Sequence, residues 1–184
     1  MPTTKDRIFK LEDLDLKVPE IDTSNKQLIR TNEGPFKIQF GGNNLNLRIQ
    51  NSSSYEAESG DSALFIDSVI LRDIDTTETE TGSVPLITIS IVKHDNTCTA
   101  STNIENQDRS VKGLGVSIWK ISLKFIQNVA NTLDFPVKHK VRRAPSNGLT
   151  DEKWDKIFLP ILMQYNYQKK GEDLWEKVYT PEAK

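Results

Sequence analysis

Two glycines at a spacing of two are the residues in this sequence best placed to bind a ligand. The segment RSVKGLGVSIWKISLKF puts Gly113 and Gly115 where a predicted strand gives way to a long predicted helix. Glycine lets the backbone approach a ligand without a Cβ in the way, and the first amides of a helix are unpaired donors at its positive end. Arg109 and Lys112 would add positive charge. The pattern predicts an anion cradle, and the alternative is a tight strand-to-helix turn without a ligand.

Alternating apolar and polar residues predict a series of strands before this segment. Residues 36–40 and 45–49 form a predicted hairpin around a four-residue turn, and the polar residues 51–62 a predicted loop. Further strands are predicted over residues 63–74, 86–93 and 97–105.

Beyond residue 106 the apolar period changes to about 3.6, which predicts helices. A helix is predicted over residues 116–133, with Ser117, Lys120, Lys124 and Gln127 on its polar side, and a strand over 137–141. Thr150 is a good N-cap for a second helix, which Pro160 should kink or end near Leu159. A last strand is predicted over residues 173–179.

This order of elements predicts one α+β (mixed α/β) domain in three layers, a central, mostly antiparallel sheet flanked by two helices. We assign the domain to residues 35–184 and expect residues 1–34 to be loosely structured or draped over it. The three tryptophans fall in elements predicted to pack, so we expect them in the core.

Composition narrows the class of protein. With 184 residues, 36% of them hydrophobic, the chain suits a single soluble domain, and no run reaches the roughly 18 apolar residues of a membrane helix. Cys98 is the only cysteine and there are two histidines, which excludes an intrachain disulfide and a four-ligand Cys/His zinc site. The polar N-terminus does not resemble a leader, so we expect a cytoplasmic protein.

The charge is unevenly divided along the chain. Residues 1–108 carry 10 Lys and Arg against 18 Asp and Glu, whereas residues 109–184 carry 14 against 8. The basic second part favours an anionic ligand there, and two oppositely charged solvated faces are an equally good explanation. The basic run at 138–143 lacks interleaved exposed aromatics, so it indicates a solvated strand edge or a cofactor-phosphate contact and not a nucleic-acid site.

The glycine segment resembles motif A of the GCN5-related N-acetyltransferase superfamily. In that motif an Arg or Gln, two arbitrary residues, Gly, any residue, and Gly or Ala precede a helix. Gly113 and Gly115 occupy the glycine positions and Lys112 the basic position before them, while Ser110 stands at the leading position, with Arg109 one residue earlier. The resemblance covers the C-terminal 75 to 80 residues, where LDFPVKHKV is similar to the family's next strand and QYNYQKKGEDLWEKVY to its closing stretch.

The resemblance implies an acetyltransferase-like fold that binds acetyl-CoA. The family's pyrophosphate contacts would correspond to the backbone from Val111 to Val116, which includes Leu114, with Arg109 contributing charge. In the family a tyrosine commonly acts as general acid to the leaving thiolate, and Leu162 stands at the matching position. The resemblance therefore leaves Tyr165 or Tyr167 as the general acid and Glu105 or Asp108 as the general base. The alternatives are an aromatic core contact for either tyrosine and a solvated edge charge for either carboxylate.

Two functions remain open at this point. One is an N-acetyltransferase with a divergent active site, which transfers an acetyl group to an amine or protein acceptor. The other is a non-catalytic interaction module of the same fold, whose acidic face meets a protein partner.

Overall fold

The computed structural model describes residues 8–24, 26–58, 60–75, 81–104, 113–143 and 150–184. In this part of the chain there are nine strands, two α-helices and a short 3₁₀ turn at Leu11–Asp13. The strands are β1 (Ile8–Lys10), β2 (Ile29–Phe40), β3 (Asn43–Glu58), β4 (Asp61–Asp75), β5 (Thr81–His94), β6 (Thr97–Ile104), β7 (Val137–Arg142), β8 (Gln168–Gly171) and β9 (Leu174–Tyr179), and the helices are α1 (Leu114–Leu133) and α2 (Asp151–Gln164).

All nine strands belong to one sheet, in the order β1-β2-β3-β4-β5-β6-β7-β9-β8. Strands β2 to β6 form a continuous antiparallel meander, as expected when successive strands are joined by short turns. The β2–β3 turn consists of Gly41 and Gly42, both with positive φ, and not of the four residues that the sequence predicted.

The sheet parts between β6 and β7, the two parallel strands that α1 connects. They are paired only at Thr99 with Lys138 and at Ala100 with His139. Both strands continue past these positions, to Ile104 and Arg142. The carboxyl ends of β6 and β7 therefore diverge, at the end of the sheet where α1 begins.

The described residues cover one face of the sheet and leave the other uncovered. On β5, Ile87, Ile89 and Ile91 are buried beneath α1, which packs on β5, β6, β7 and β9. Trp154 of α2 stacks on Trp175 of β9 with ring centroids 5.3 Å apart, which places α2 on the same face.

The predicted central sheet flanked by two helices is therefore wrong. Both described helices lie on one side of a nine-stranded sheet, and this is not the acetyltransferase-like layout that the sequence suggested. The nearly continuous apolar run at residues 63–74 is typical of a strand covered on both faces, but half-exposed Phe65 and Val69 lie on the face that the described helices leave uncovered.

The sheet curls around α1. A single cavity beside α1 is lined by Phe40 of β2 and by Lys177 and Tyr179 of β9, strands six steps apart in the sheet order. In a flat sheet six steps would span roughly 29 Å, so strands this far apart share a cavity only if the sheet bends. Helix α1 lies in the resulting concavity.

The polar segment at residues 51–62, predicted as a loop, is instead the end of β3 and the start of β4. Its inward-facing polar side chains are buried and form hydrogen bonds. The side-chain amide of Asn51 donates to the Lys17 carbonyl at 3.0 Å, and the hydroxyl of Ser53 donates to the Glu20 carbonyl. Contacts from a distant segment thus replace the apolar residues that the pattern lacked.

The N-terminal segment supplies these contacts and part of the core. Leu11, Leu14 and Leu16 are buried, although the sequence indicated no more than a loose or draped segment before residue 35. Helix α2 continues past Pro160 to Gln164, which excludes an early end near Leu159, one of the two expectations for this proline. Pro160 and Lys156 are both exposed, so the backbone carbonyl without a helical partner faces solvent.

Strands β5, β6, β7 and β9 lie where the sequence predicted strands, whereas β1, β8 and the first half of β2 were not predicted. Helix α1 occupies the predicted helical segment and starts two residues earlier, and Trp119, Trp154 and Trp175 are buried. Within the described residues, no helix is both long enough and apolar enough to cross a bilayer.

Candidate functional site

Helix α1 begins with an uncapped N-terminus at the two predicted glycines. Gly113 is the N-cap residue with φ of 81°, no side chain caps the helix, and the first turn contains no acidic residue. The Ser117 amide donates to the Gly113 carbonyl, so the amides of Leu114, Gly115 and Val116 precede the first intrahelical bond. These are the donors that an anion cradle requires.

The surroundings of this turn are partly open. A Cβ at Gly113 would meet no atom within 4 Å, whereas one at Gly115 would lie 3.8 Å from Cγ2 of Ile104, so the helix starts against the end of β6. Leu114 is buried and belongs to the core. Arg142, which is exposed, ends β7 at the same end of the sheet.

Four of the predicted site residues, Glu105, Arg109, Val111 and Lys112, lie outside the described residues. The predicted catalytic Tyr165 is described: it is the C-cap residue of α2. It lines the cavity beside α1, to which Ser117 contributes but Gly113 to Val116 do not. The structure thus does not bring the predicted acid into contact with the glycine turn.

This second feature, which we call the α1 cavity, has a volume of about 540 Å³. Its value falls within the roughly 300–1,000 Å³ typical of small-molecule sites. One wall is the outward side of α1, from Ser117 to Gln127, and the others come from the 3₁₀ turn, β2, the end of α2 and β9. The apolar part of the lining comprises Leu11, Phe40, Ile121 and Leu123.

The charged lining of the α1 cavity is mainly basic. Lys120, Lys124 and Lys177 are present with one carboxylate, Glu12. None of these lysines forms a salt bridge with a carboxylate among the described residues. The sequence placed Lys120 and Lys124 on the solvated side of α1, and their spacing of four on one helix face was the signal that they act together.

Lys177 is fixed by aromatic rings. Its Nζ lies 4.6 Å from the centroid of the Tyr179 ring and 5.9 Å from that of Tyr165. Such positions are favourable because the ring faces carry negative potential. Burial lowers the pKa of the Lys177 ammonium, so this charge is partly desolvated at the cavity wall.

A chain of buried polar side chains ends at this cavity. Trp119 Nε1 donates to Thr102 Oγ1 at 3.2 Å, and this hydroxyl is 3.2 Å from Nε2 of His139. Nδ1 of His139 hydrogen-bonds with the Tyr167 hydroxyl at 2.6 Å, which in turn hydrogen-bonds with the Tyr179 hydroxyl at 2.9 Å. The chain joins β6 to β7 and β9 beyond the point where the backbone pairing of β6 and β7 stops.

The groups of this chain are held neutral. Burial lowers the pKa of His139 to about 3, and no carboxylate of the described residues contacts the ring. Burial also raises the pKa of Tyr179 to about 12 and that of Tyr167 further. Tyr179, a residue of the cavity lining, is therefore neutral, and its hydroxyl is held by Tyr167.

One group of potential metal ligands exists among the described residues. Asp61, His94 and Asp95 place one ligand atom each within 4.8 Å of one another at the ends of β4 and β5. All three residues are exposed. Exposed carboxylates often lie this close without a metal, and the described surroundings add no fourth ligand, so we assign no metal centre.

Comparison of the chain with protein-family models, with curated proteins and with solved structures gives no match. The resemblance of residues 109–125 to motif A therefore stays a prediction.

Proposed function

We propose that this protein binds an acyl-coenzyme A through the N-terminus of α1. The pyrophosphate would accept hydrogen bonds from the amides of Leu114, Gly115 and Val116, with the left-handed Gly113 giving it access. The observation that carries the proposal is the first turn of a 20-residue helix, which contains no acidic residue and which no side chain of the described residues caps. A helix of this length directs its full dipole at a bound anion.

One further feature supports the site. The parallel strands β6 and β7 diverge at their carboxyl ends, beside the start of α1, which is where open sheets with crossover helices commonly bind ligands.

Acyl transfer to an amine is the reaction that such binding would serve. The amine nitrogen would bond to the thioester carbonyl carbon, the carbon–sulfur bond would break, and the proton lost from nitrogen would reach a base while the thiolate takes one from an acid. Tyr165 is the candidate acid and Glu105 the candidate base. We restrict the proposal to coenzyme binding, because Tyr165 lines a cavity that starts at Ser117, one helical turn beyond Gly113.

The test is a titration with acetyl-CoA that follows backbone amide shifts by NMR. We expect saturable shifts at Leu114, Gly115 and Val116, and weaker ones with acetyl-pantetheine, which lacks the pyrophosphate. No shifts at these amides at millimolar acetyl-CoA would overturn the proposal.

A matched pair of variants tests the position of the site. Gly113→Glu adds bulk and negative charge at the turn and should abolish binding. Gly42→Glu makes the same change at a glycine with φ of 79° and equally open surroundings, in the β2–β3 turn, and should leave binding unchanged. Equal effects of the two variants would show that the ligand binds elsewhere.

A non-catalytic interaction module is the second candidate function. It is supported by the uncovered face of the sheet, where half-exposed Phe65 of β4 lies opposite exposed Val92 of β5. An absence of acetyl-CoA shifts would leave this function as the better explanation.

A further inference from the structure

The α1 cavity has features of a ligand site that the acyl-coenzyme A proposal does not use. It is lined by Ser117 and by residues further along α1, and not by the glycine turn. We propose that it binds an amphiphile with a single anionic head group and an apolar body, of which a medium-chain fatty carboxylate is the simplest example. This inference does not rest on the proposed function.

The head group is identified by the charges of the cavity wall. Lys120, Lys124 and Lys177 bring three ammonium groups to one cavity that contains a single carboxylate, from the exposed Glu12. Lys177 is partly removed from water and has no carboxylate partner among the described residues, and such an ammonium group favours the binding of an anion. A cation would meet a net positive wall and is excluded.

The position of the head group follows from Lys177. Its ammonium lies 4.6 Å from the Tyr179 ring centroid, which holds the charge at the wall instead of in solvent. Tyr179, whose hydroxyl hydrogen-bonds with Tyr167, lines the same cavity. The Lys177 ammonium suits a carboxylate, which accepts charge-assisted hydrogen bonds from it.

The body of the ligand is identified by the remaining walls. Leu11, Phe40, Ile121 and Leu123 give the cavity an apolar lining on both sides of α1's outward face. About 25 cal/mol is gained per Å² of apolar surface removed from water, so an alkyl chain in contact with these side chains would contribute most of the affinity. A bare inorganic anion would gain only the head-group contacts.

The probes are decanoate, decanol and decyltrimethylammonium, which share one chain and differ in head-group charge. Isothermal titration calorimetry on the full chain should show decanoate binding at least about tenfold more tightly than decanol, the factor that one charge-assisted hydrogen bond of about 1.4 kcal/mol provides. The ammonium probe should not bind. No decanoate binding, or equal affinity for the three probes, would overturn the proposal.

Two variants then locate the site. Lys177→Met removes the charge and keeps the apolar stem, so it should weaken decanoate binding about tenfold and leave decanol binding unchanged. Lys156→Met makes the same change at an exposed lysine of α2 outside the cavity and should have no effect. Equal decanoate affinity in the Lys177 variant and the wild type would refute the assignment.

A third variant separates this proposal from the coenzyme proposal. Gly113→Glu should leave decanoate binding unchanged, since Gly113 does not line the α1 cavity. Loss of decanoate binding in a folded Gly113→Glu protein would show that the α1 cavity and the glycine turn form one site. It would overturn the proposal that the cavity is a separate site.

Discussion

The buried His139 should make the protein sensitive to mild acid. Its ring is fully inaccessible to solvent and lies between Thr102 and Tyr167, and burial lowers its pKa from 6.5 to about 3. In the unfolded chain the ring regains the ordinary value. Between these two pKa values the unfolded state binds one more proton than the folded state, so stability falls as the pH falls from 6.5 towards 3.

The size of this effect follows from the two pKa values. The loss approaches about 1.4 kcal/mol per pH unit in this window, and from pH 7.5 to pH 5 it amounts to about 2 kcal/mol. That is a large fraction of the roughly 5–15 kcal/mol by which domains are stable. Protonation of carboxylates whose pKa is lowered in the folded protein, such as Asp73, also lowers the free energy of unfolding in acid. The contribution of His139 must therefore be obtained as a difference between the wild type and a variant without this ring.

Urea unfolding followed by tryptophan fluorescence at pH 7.5 and pH 5 provides the measurement. His139→Gln removes the titrating ring, so the wild type should lose about 2 kcal/mol more than this variant between the two pH values. His94→Gln, at an exposed histidine, should behave like the wild type. Equal pH dependence of the wild type and His139→Gln would refute the reasoning. If the variant does not fold, NMR of the wild type provides the test instead. The ring protons of His139 should then show no titration between pH 8 and pH 5.

Three further predictions concern backbone conformation, helix capping and thiol reactivity. Gly113→Ala should lower the free energy of unfolding by about 1–2 kcal/mol because φ is 81°, whereas Gly115→Ala should raise it by about 0.5–1 kcal/mol, as both urea midpoints will show. Thr150→Ala should cost about 1 kcal/mol in the same assay, since the Thr150 hydroxyl accepts from the Lys153 amide at 3.3 Å, and Thr150→Ser should restore it. Burial raises the pKa of Cys98 to about 11, so iodoacetamide at pH 8 should alkylate the native protein far more slowly than the urea-unfolded chain, as measured by mass spectrometry.

Local patterns in the sequence were sufficient to predict most individual elements. Helix α1 has a strong 3.6-residue period, and β5 alternates cleanly, so each could be identified from its own residues. The continuation of β3 through residues 51–58 was missed, since Asn51 and Ser53 are buried only because distant backbone carbonyls accept their hydrogen bonds. Interactions between segments 30 or more residues apart do not appear in a local pattern.

The arrangement of the helices on the sheet could not be predicted from local sequence patterns either. Whether helices cover one face or two depends on the handedness of the crossovers and on the curvature of the sheet, and neither is encoded in periodicity. The same curvature brings Phe40 and Lys177 to one cavity. The glycine turn was predictable from spacing alone, while the α1 cavity was not, because its walls come from five separate parts of the chain.

The two-residue parallel contact between β6 and β7 is the weakest seam in the sheet. The antiparallel strands β2 to β6 share long ladders, such as the 12 register positions between β3 and β4, but here only Thr99 and Ala100 have partners. Each backbone hydrogen bond contributes about 0.5–1.5 kcal/mol net, so widening this gap breaks little of the ladder. The two sides are held together mainly by α1 and by the Thr102–His139 hydrogen bond. The parts of the sheet on either side of the β6–β7 pair can thus move relative to one another about α1 without unfolding.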